Sequence, residues 1–515
     1  MSTPPESTGR LFFGAALITA IVGARLLWEP GLLGSPAGEI WGHAWVQWWH
    51  ALALPSWPEG PGAWLVSPRP WPVVDPLPTA LAAGLGRLLG PTAGYNLWVL
   101  LAVFIAFVGG ARLARRLGGD PWVGGVALAL APSLLGAAAS GLTEDLAVGL
   151  AALTFADLGH RDPWRGARAG VWLALLCTCG LVLGWATGLI ALGLGLAFVR
   201  QDRLRLKGLV PAGLLAVAAA AALGSLHGGR LGGHGHRLGT AMERTEPLWR
   251  LNPTRGVDVL SYVVPGRVDP GDALVRMHPG YLGLSLLGLA CFAGRSRWWW
   301  VLGAVLLVAP GHHLAAAGSP LGVQNPFAAG LGLLPFGELV NHHGRLLLLG
   351  AVALSALAAV GATRRLGARA PWMAIVVGLD LALLGPVPTP LPTAPPSGQA
   401  LLSSLGELPD GPLLQLPAGG PGVHPQLPLF QQRFHQRPLV KDPNVPGLPL
   451  NLRDSPLGPW LGSIGHPGGP PPPETVLWPD EVAVIVVWEP WVSTVVAGLG
   501  PPAVQGPEGA AWIAP

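Results

Sequence analysis

Four polar residues recur at helical spacing within the segment Gly38–His50. At ~100° per residue, one helix face there carries carboxylate, imidazole and amide groups, namely Glu39, His43, Gln47 and His50. Carboxylates and imidazoles can transfer protons or bind a divalent metal. The other face is tryptophan-rich, and indoles favour the membrane–water boundary. We expect a helix on a membrane surface, with its polar stripe toward a cavity; an interfacial anchor with solvated polar residues is the alternative.

Further ionisable residues fall where the chain enters or crosses a membrane. Glu144 and Asp145 lie at an outer turn, and Asp380 lies inside the last apolar segment. Ionisable groups at membrane depth are costly and usually functional, so these three are candidates to line the cavity. The alternatives are that Thr143-Glu144-Asp145 opens a helix and that Asp380 makes a polar contact between helices.

A guanidinium follows a histidine pair at the predicted outer membrane surface. Arg345, with His342 and His343, suits a lipid phosphate, although simple snorkelling explains the arginine equally well. His234-Gly235-His236 and the pair Glu39/His43 are candidate ligands for a divalent metal. Because glycine-rich histidine loops are common without metal, no metal site or other cofactor is assigned.

The composition is that of a polytopic membrane protein. Only 11% of the 515 residues are charged, against about 25% in soluble domains, and the mean hydropathy is +0.48. The net charge of +4 does not indicate a nucleic-acid partner, because the arginines are dispersed around the apolar segments. The sequence has no Walker loop, no HExxH and no GxSxG in a suitable context, so ATP-driven transport and serine hydrolysis have no support.

The apolar segments predict an all-α membrane domain over residues 1–386 with about eleven transmembrane helices. Their approximate ranges are 11–28, 96–114, 121–139, 143–159, 169–183, 185–199, 208–225, 281–294, 298–312, 345–362 and 371–386. With a cytoplasmic N-terminus, each inside turn is basic, as the positive-inside rule requires. The loops 29–95 and 226–280 then lie outside.

Residues 387–515 are predicted to form a small C-terminal α/β domain outside the membrane, periplasmic or extracellular, after a Pro-rich linker. Gly411–Leu416 and Glu481–Trp488 are typical of buried strands. Ser493–Leu499 and Ala510–Ile513 complete the outline.

Several loose motifs, spread over nearly the whole chain, resemble one family. They are Gly38-Glu39 followed by tryptophans, Val66–Pro72, Tyr95-Asn96-Leu97, Gly280-Tyr281-Leu282-Gly283, the Arg345-led span, Gly411–Pro417 and Arg437–Val440. The layout is similar to the GT-C superfamily of polytopic membrane glycosyltransferases, in its poorly characterised bacterial branch with a C-terminal periplasmic domain.

The resemblance implies an enzyme of the bacterial cytoplasmic (inner) membrane that acts at its outer side in the cell envelope. It would transfer a sugar from a polyprenyl-phosphate donor to an envelope glycan or protein acceptor, with inversion. Glu39 would be the catalytic base, and Arg345 would stabilise the leaving phosphate. The family's usual acid is Asp, and the extra methylene of Glu39 moves the carboxylate by ~1 Å. The alternative is a non-catalytic protein, such as a lipid or sugar transporter or an envelope-assembly partner.

Overall fold

The computed structural model describes residues 8–53, 75–215, 218, 256–266, 279–334, 340, 342–395, 398–417, 427–440, 454–464, 482–489 and 491–513. The described helices are α1 (Thr8–Gly23), α2 (Ile40–Ala53), α3 (Pro76–Leu89), α4 (Pro91–Arg116), α5 (Pro121–Ala129), α6 (Pro132–Ser140), α7 (Val148–Asp157), α8 (Pro163–Cys179), α9 (Leu181–Gln201), α10 (Leu284–Ala290), α11 (Trp298–Val308), α12 (Pro326–Leu331), α13 (Leu347–Leu366), α14 (Met373–Leu383), α15 (Gln399–Ser404), α16 (Leu427–His435), α17 (Gly458–Ser463) and α18 (Val492–Leu499). The described strands are β1 (Leu32–Leu33), β2 (His313–Ala316), β3 (Ser319–Gln324), β4 (Thr393–Ala394), β5 (Leu413–Leu416), β6 (Val484–Trp488), β7 (Val504–Gly506) and β8 (Gly509–Ile513).

The chain divides into two compact units. The helical unit comprises Met1–Trp28, Val74–Pro78 and Asn96–Pro392. The sheet unit comprises Glu29–Val73, Thr79–Tyr95 and Thr393–Pro515. Most of the predicted first outer loop therefore groups with the C-terminal residues.

Five stretches of the described chain are long and apolar enough to cross a membrane: Thr8–Leu27, Pro91–Arg116, Pro121–Ser140, Val182–Gln201 and His343–Leu383. The last of these is 41 residues long and covers the final two predicted spans. Three shorter apolar helices lie where further spans are predicted, at Val148–Asp157, Leu284–Ala293 and Trp298–Val308. The chain is a multi-pass membrane protein, and the number of eleven spans stays a prediction.

Small residues set the packing in the helical unit. A Cβ at Gly109 would collide with the carbonyl oxygen of Gly149, and one at Gly110 would collide with that of Gly124. Helix α4 therefore approaches α5 and α7 at backbone contact, as small residues allow in membrane bundles. Asp120 caps α5 by accepting hydrogen bonds from the N–H groups of Trp122 and Val123.

The sheet unit contains a four-stranded sheet in the order β5-β6-β8-β7. Strands β5 and β6 are parallel, whereas β8 is antiparallel to both β6 and β7. Successive strand residues face opposite sides, so Val484 and Val486 belong to one hydrophobic core, and Ile485 and Val487 to the other. The first core is completed by residues of α2, α15 and α16, and the second by residues of α17 and α18.

Candidate active site

The polar stripe predicted from the helical period lies on α2, in the sheet unit. Glu39 directly precedes α2, and its carbonyl oxygen accepts the backbone N–H groups of Gly42 and His43. Glu39 is therefore the residue at the N-terminus of α2, where the helix dipole stabilises negative charge. The Glu39 side chain is 34% exposed, and its Oε2 lies 4.0 Å from Nε2 of His43.

The tryptophan face of α2 does not lie on a membrane surface, so that expectation is wrong. Trp45 is buried, and its indole N–H donates to Oε1 of Gln432 at 2.9 Å. The Trp41 ring packs against Phe430 with the ring centroids 5.2 Å apart. The indoles are instead buried against α16 and the sheet, where they hold α2 in place.

The other three stripe residues, His43, Gln47 and His50, are all buried. Gln47 is only 2% exposed. Among the described residues, no protein atom forms a hydrogen bond with its side-chain oxygen or nitrogen. Buried polar groups in native proteins usually have partners, and those without one often mark a functional site. The amide of Gln47 can therefore serve a bound hydroxyl as both donor and acceptor.

In the helical unit, the structure brings together three of the predicted residues. Nη2 of Arg345 lies 2.8 Å from Oε1 of Glu144, and its Nε lies 3.3 Å from Oδ2 of Asp145. The three side chains are largely buried, with exposed fractions of 15%, 13% and 2% for Arg345, Glu144 and Asp145. One guanidinium thus faces two carboxylates, and its charge is already compensated.

A fourth residue of this cluster was missed from the sequence. Asp75 is buried and accepts a hydrogen bond from the Thr143 hydroxyl, within the turn that carries Glu144 and Asp145. Asp75 precedes Pro76 at the start of α3, which by itself is typical of an ordinary helix start. The local sequence therefore gave no sign of its position beside Thr143.

Asp380 has its own set of partners in the helical unit. The Tyr281 hydroxyl donates to Oδ1 at 2.7 Å, and Ser285 donates to Oδ2 from its backbone N–H at 2.7 Å and from its hydroxyl at 2.5 Å. The carboxylate thereby joins α14 to the first turn of α10. This geometry favours the interpretation of Asp380 as a polar contact between helices.

The two predicted phosphate-binding histidines precede Arg345. The ring of His343 is buried and meets that of His312 edge to face, with the centroids 4.8 Å apart. His342 is half-buried. His234 and His236 lie outside the described residues. A catalytic zinc usually has three protein ligands, so Glu39 and His43 do not by themselves define a metal centre.

Comparisons of the whole chain relate it to known folds. Neither the protein-family models nor the curated proteins gave a match. Among solved structures, the arabinofuranosyltransferase AftD from Mycobacteria matches with a TM-score of 0.55 and 17% identity, covering 100% of this chain and 42% of AftD. This chain thus spans less than half the length of AftD.

Two further structures are more distant. The oligosaccharyltransferase AglB from Archaeoglobus fulgidus, in complex with an inhibitory peptide and a dolichol-phosphate, has a TM-score of 0.45 and 11% identity, over 93% of this chain and 69% of AglB. ArnT from Cupriavidus metallidurans, bound to undecaprenyl phosphate, has a TM-score of 0.39 and 15% identity, over 98% of each chain. The AftD match carries the fold assignment: the chain has the GT-C-like fold that its motifs predict.

Proposed function

We propose that the chain is a membrane glycosyltransferase of the GT-C type. It transfers a sugar from a polyprenyl-phosphate donor to an envelope glycan or protein acceptor at the outer side of the bacterial cytoplasmic membrane. The carrying observation is a carboxylate that is one-third exposed, Glu39, beside His43 at the start of a buried polar helix face in a GT-C-like fold. The orientation and the periplasmic position of the C-terminal residues are parts of this proposal.

In this mechanism Glu39 takes the proton of the acceptor hydroxyl. The hydroxyl oxygen forms a bond to the anomeric carbon from the face opposite the donor phosphate. The bond from that carbon to the phosphate oxygen breaks, and the polyprenyl phosphate leaves with the electron pair. Configuration at the anomeric carbon is therefore inverted. His43, one helical turn further on, is placed to orient the Glu39 carboxylate.

The buried carboxylates of the helical unit, Glu144 and Asp145, are fixed by Arg345. Their role as ligands of the acceptor stays a prediction. Because two carboxylates already compensate its charge, Arg345 is a weaker ligand for the lipid phosphate than an unpaired arginine would be. The phosphate role of Arg345, His342 and His343 stays a prediction.

The test is transfer or hydrolysis by the purified protein in nanodiscs. Synthetic polyprenyl-phosphate sugars, including pentoses and hexoses, are supplied, and released polyprenyl phosphate is measured. We expect turnover of at least one donor, and Glu39→Gln should reduce it by about 10²–10⁴-fold. The matched control is Glu407→Gln, at an exposed carboxylate of the sheet unit. No turnover of any donor contradicts the proposal and favours a non-catalytic protein. Full activity of Glu39→Gln instead contradicts the role of Glu39 as the catalytic base.

Glu39→Asp addresses the departure from the family's usual acid. If the site is built around the longer side chain, the shorter aspartate withdraws the carboxylate from the acceptor hydroxyl by ~1 Å. Turnover should then fall by about 10²-fold. If Glu39→Asp is more active than the wild type, the site has kept the geometry of an aspartate enzyme.

A further inference from the structure

Several basic turns converge at one end of the helical unit. The guanidinium carbon of Arg205 lies 5.3 Å from the ring centroid of Phe198, and that of Arg297 lies 5.7 Å from the same ring. The Phe198 ring in turn packs against Gly159, where an added Cβ would collide with it. Turns far apart in the sequence, after α7, after α9 and before α11, therefore meet around one aromatic ring.

A further arginine, Arg165, contacts His160, the residue that follows Gly159. Nη1 of Arg165 lies 3.4 Å from Nδ1 and 3.3 Å from Nε2 of His160. Burial, and after it the positive charges of Arg116 and Arg165, lower the pKa of His160. Arg116 and Arg165 therefore both lie close enough to His160 for their charges to act on it.

The nearby carboxylates Asp157 and Asp202 are each shared between two arginines. Asp157 is buried and accepts hydrogen bonds from Arg112, Arg168 and the Trp172 indole. Asp202 pairs with Arg161 at 2.7 Å and more loosely with Arg205 at 3.5 Å.

The positive charges of Arg116, Arg165 and Arg297 are poorly compensated by carboxylates. Arg165 approaches only Asp162, at 4.0 Å, with both side chains 50% exposed. In the described part of the chain, neither Arg116 nor Arg297 forms an ion pair with a carboxylate. We name Arg116, His160, Arg165, Arg205 and Arg297 the arginine cluster; it carries an excess of positive charge.

We propose that the arginine cluster binds the phosphate of an anionic phospholipid in the leaflet that the arginine pattern assigns to the cytoplasm. Guanidiniums form strong, directional hydrogen bonds to phosphate oxygens. Basic pockets between membrane helices on this side are suited to anionic headgroups. Trp164 and Trp300, in the first turns of α8 and α11 beside Arg165 and Arg297, are 81% and 83% exposed. Exposed indoles mark the headgroup depth of a bilayer, which favours a lipid over a soluble phosphate.

The test compares lipids on the detergent-purified full chain. Native mass spectrometry counts bound phosphatidylglycerol and phosphatidylcholine, and thermal unfolding measures the stabilisation by each. We expect phosphatidylglycerol to be retained preferentially, and Arg165→Gln/Arg297→Gln to weaken its binding by about tenfold to thirtyfold. Arg369→Gln removes one positive charge from an exposed position in another basic segment, as each single substitution of the double variant does, and should bind as the wild type does.

Three results would overturn the proposal. They are equal retention of the two lipids by the wild type, unchanged phosphatidylglycerol binding by the double variant, and an equal loss in Arg369→Gln. Glycerol 3-phosphate serves as the soluble probe, and displacement of the lipid at equal concentration would assign the cluster to a free phosphate instead. If the double variant does not fold, Arg165→Gln alone replaces it, since that side chain is half exposed and only loosely paired.

Discussion

Arg345 and Glu144 are joined by a hydrogen bond of 2.8 Å between Nη2 and Oε1, across 201 residues of sequence. The pair connects the start of the span His343–Leu383 to the turn after α6, and Asp145 adds a second carboxylate to it. Removing one member of a largely buried ion pair of this kind is strongly destabilising, because the charge of the other member stays buried without compensation.

We expect Arg345→Gln to lower the free energy of unfolding by about 3–5 kcal/mol, since two largely buried carboxylates lose their guanidinium. Adding Glu144→Gln should recover part of this loss, because the double variant has one buried charge fewer. Thermal unfolding in detergent, followed by tryptophan fluorescence, measures both effects against the exposed control Arg369→Gln.

An Arg345→Gln protein of wild-type stability with a much weaker affinity for the polyprenyl-phosphate donor would contradict this view. That outcome would return Arg345 to the role of phosphate ligand that the resemblance implies.

Gln47→Leu tests the buried amide of the polar stripe. Replacing an amide that has no protein partner with an apolar side chain of similar size should raise the free energy of unfolding by about 1 kcal/mol. The same change should weaken binding of a sugar substrate by about threefold to tenfold, since one or two hydrogen bonds to hydroxyls are lost. The measurements are thermal unfolding without substrate and KM for donor and for acceptor.

The matched control is Gln432→Leu on α16. Gln432 accepts from the Trp45 indole at 2.9 Å and donates to the carbonyl oxygen of Arg437 at 2.8 Å. This variant should lose stability by about 1–3 kcal/mol and leave KM unchanged. Should Gln47→Leu behave like Gln432→Leu, the amide of Gln47 is structural.

The helical period correctly separated the two faces of α2 but did not identify their surroundings. A regular spacing of tryptophans is the same whether the indoles meet lipid or protein. Trp45 and Trp49 are buried against residues of α15, α16 and the sheet, more than 350 positions later in the chain. Contacts at that separation leave no trace in a local pattern.

The strands around Leu414 and Ile485 were predictable because short apolar runs are typical of buried strands, and the run around Ile485 is also rich in β-branched residues. The position of Asp75 was not predictable, because no local sequence pattern indicates it. Its immediate sequence is that of a helix start, and its hydrogen-bond donor, Thr143, is 68 positions away in the chain. Asp380 was found from its polarity in an apolar segment, whereas its donors, Tyr281 and Ser285, are ordinary residues at a helix entry.

Asp380→Asn should destabilise the helical unit without impairing catalysis. In the variant, an amide nitrogen, which is a donor, replaces one of the two carboxylate oxygens that now accept from Tyr281 and Ser285. At least one charge-assisted hydrogen bond is therefore lost. We expect a loss of about 1.5–3 kcal/mol in thermal unfolding and unchanged turnover per folded molecule. Asp410→Asn, at an exposed site, is the control. Lower turnover at unchanged stability would instead place Asp380 in the catalytic cavity.

His435 should make the stability of the sheet unit depend on pH. Its Nδ1 accepts the backbone N–H of Arg437 at 3.1 Å, which requires an unprotonated nitrogen. Burial, and then the positive charge of Arg437, lower the pKa of His435 to about 3. In the unfolded chain the pKa is about 6.5.

Because the pKa is lower in the folded state, protonation favours unfolding. The stability contributed by neutral His435 is complete above pH ~6.5 and is lost as the pH falls toward 3. Between pH 7 and 5 we expect a loss of about 2 kcal/mol, at up to ~1.4 kcal/mol per pH unit. His435→Asn retains an acceptor near Nδ1 but cannot be protonated, so its unfolding should depend less on pH. Thermal unfolding monitored by tryptophan fluorescence measures both proteins across this range, and parallel pH curves for the two would show that His435 is not the titrating group.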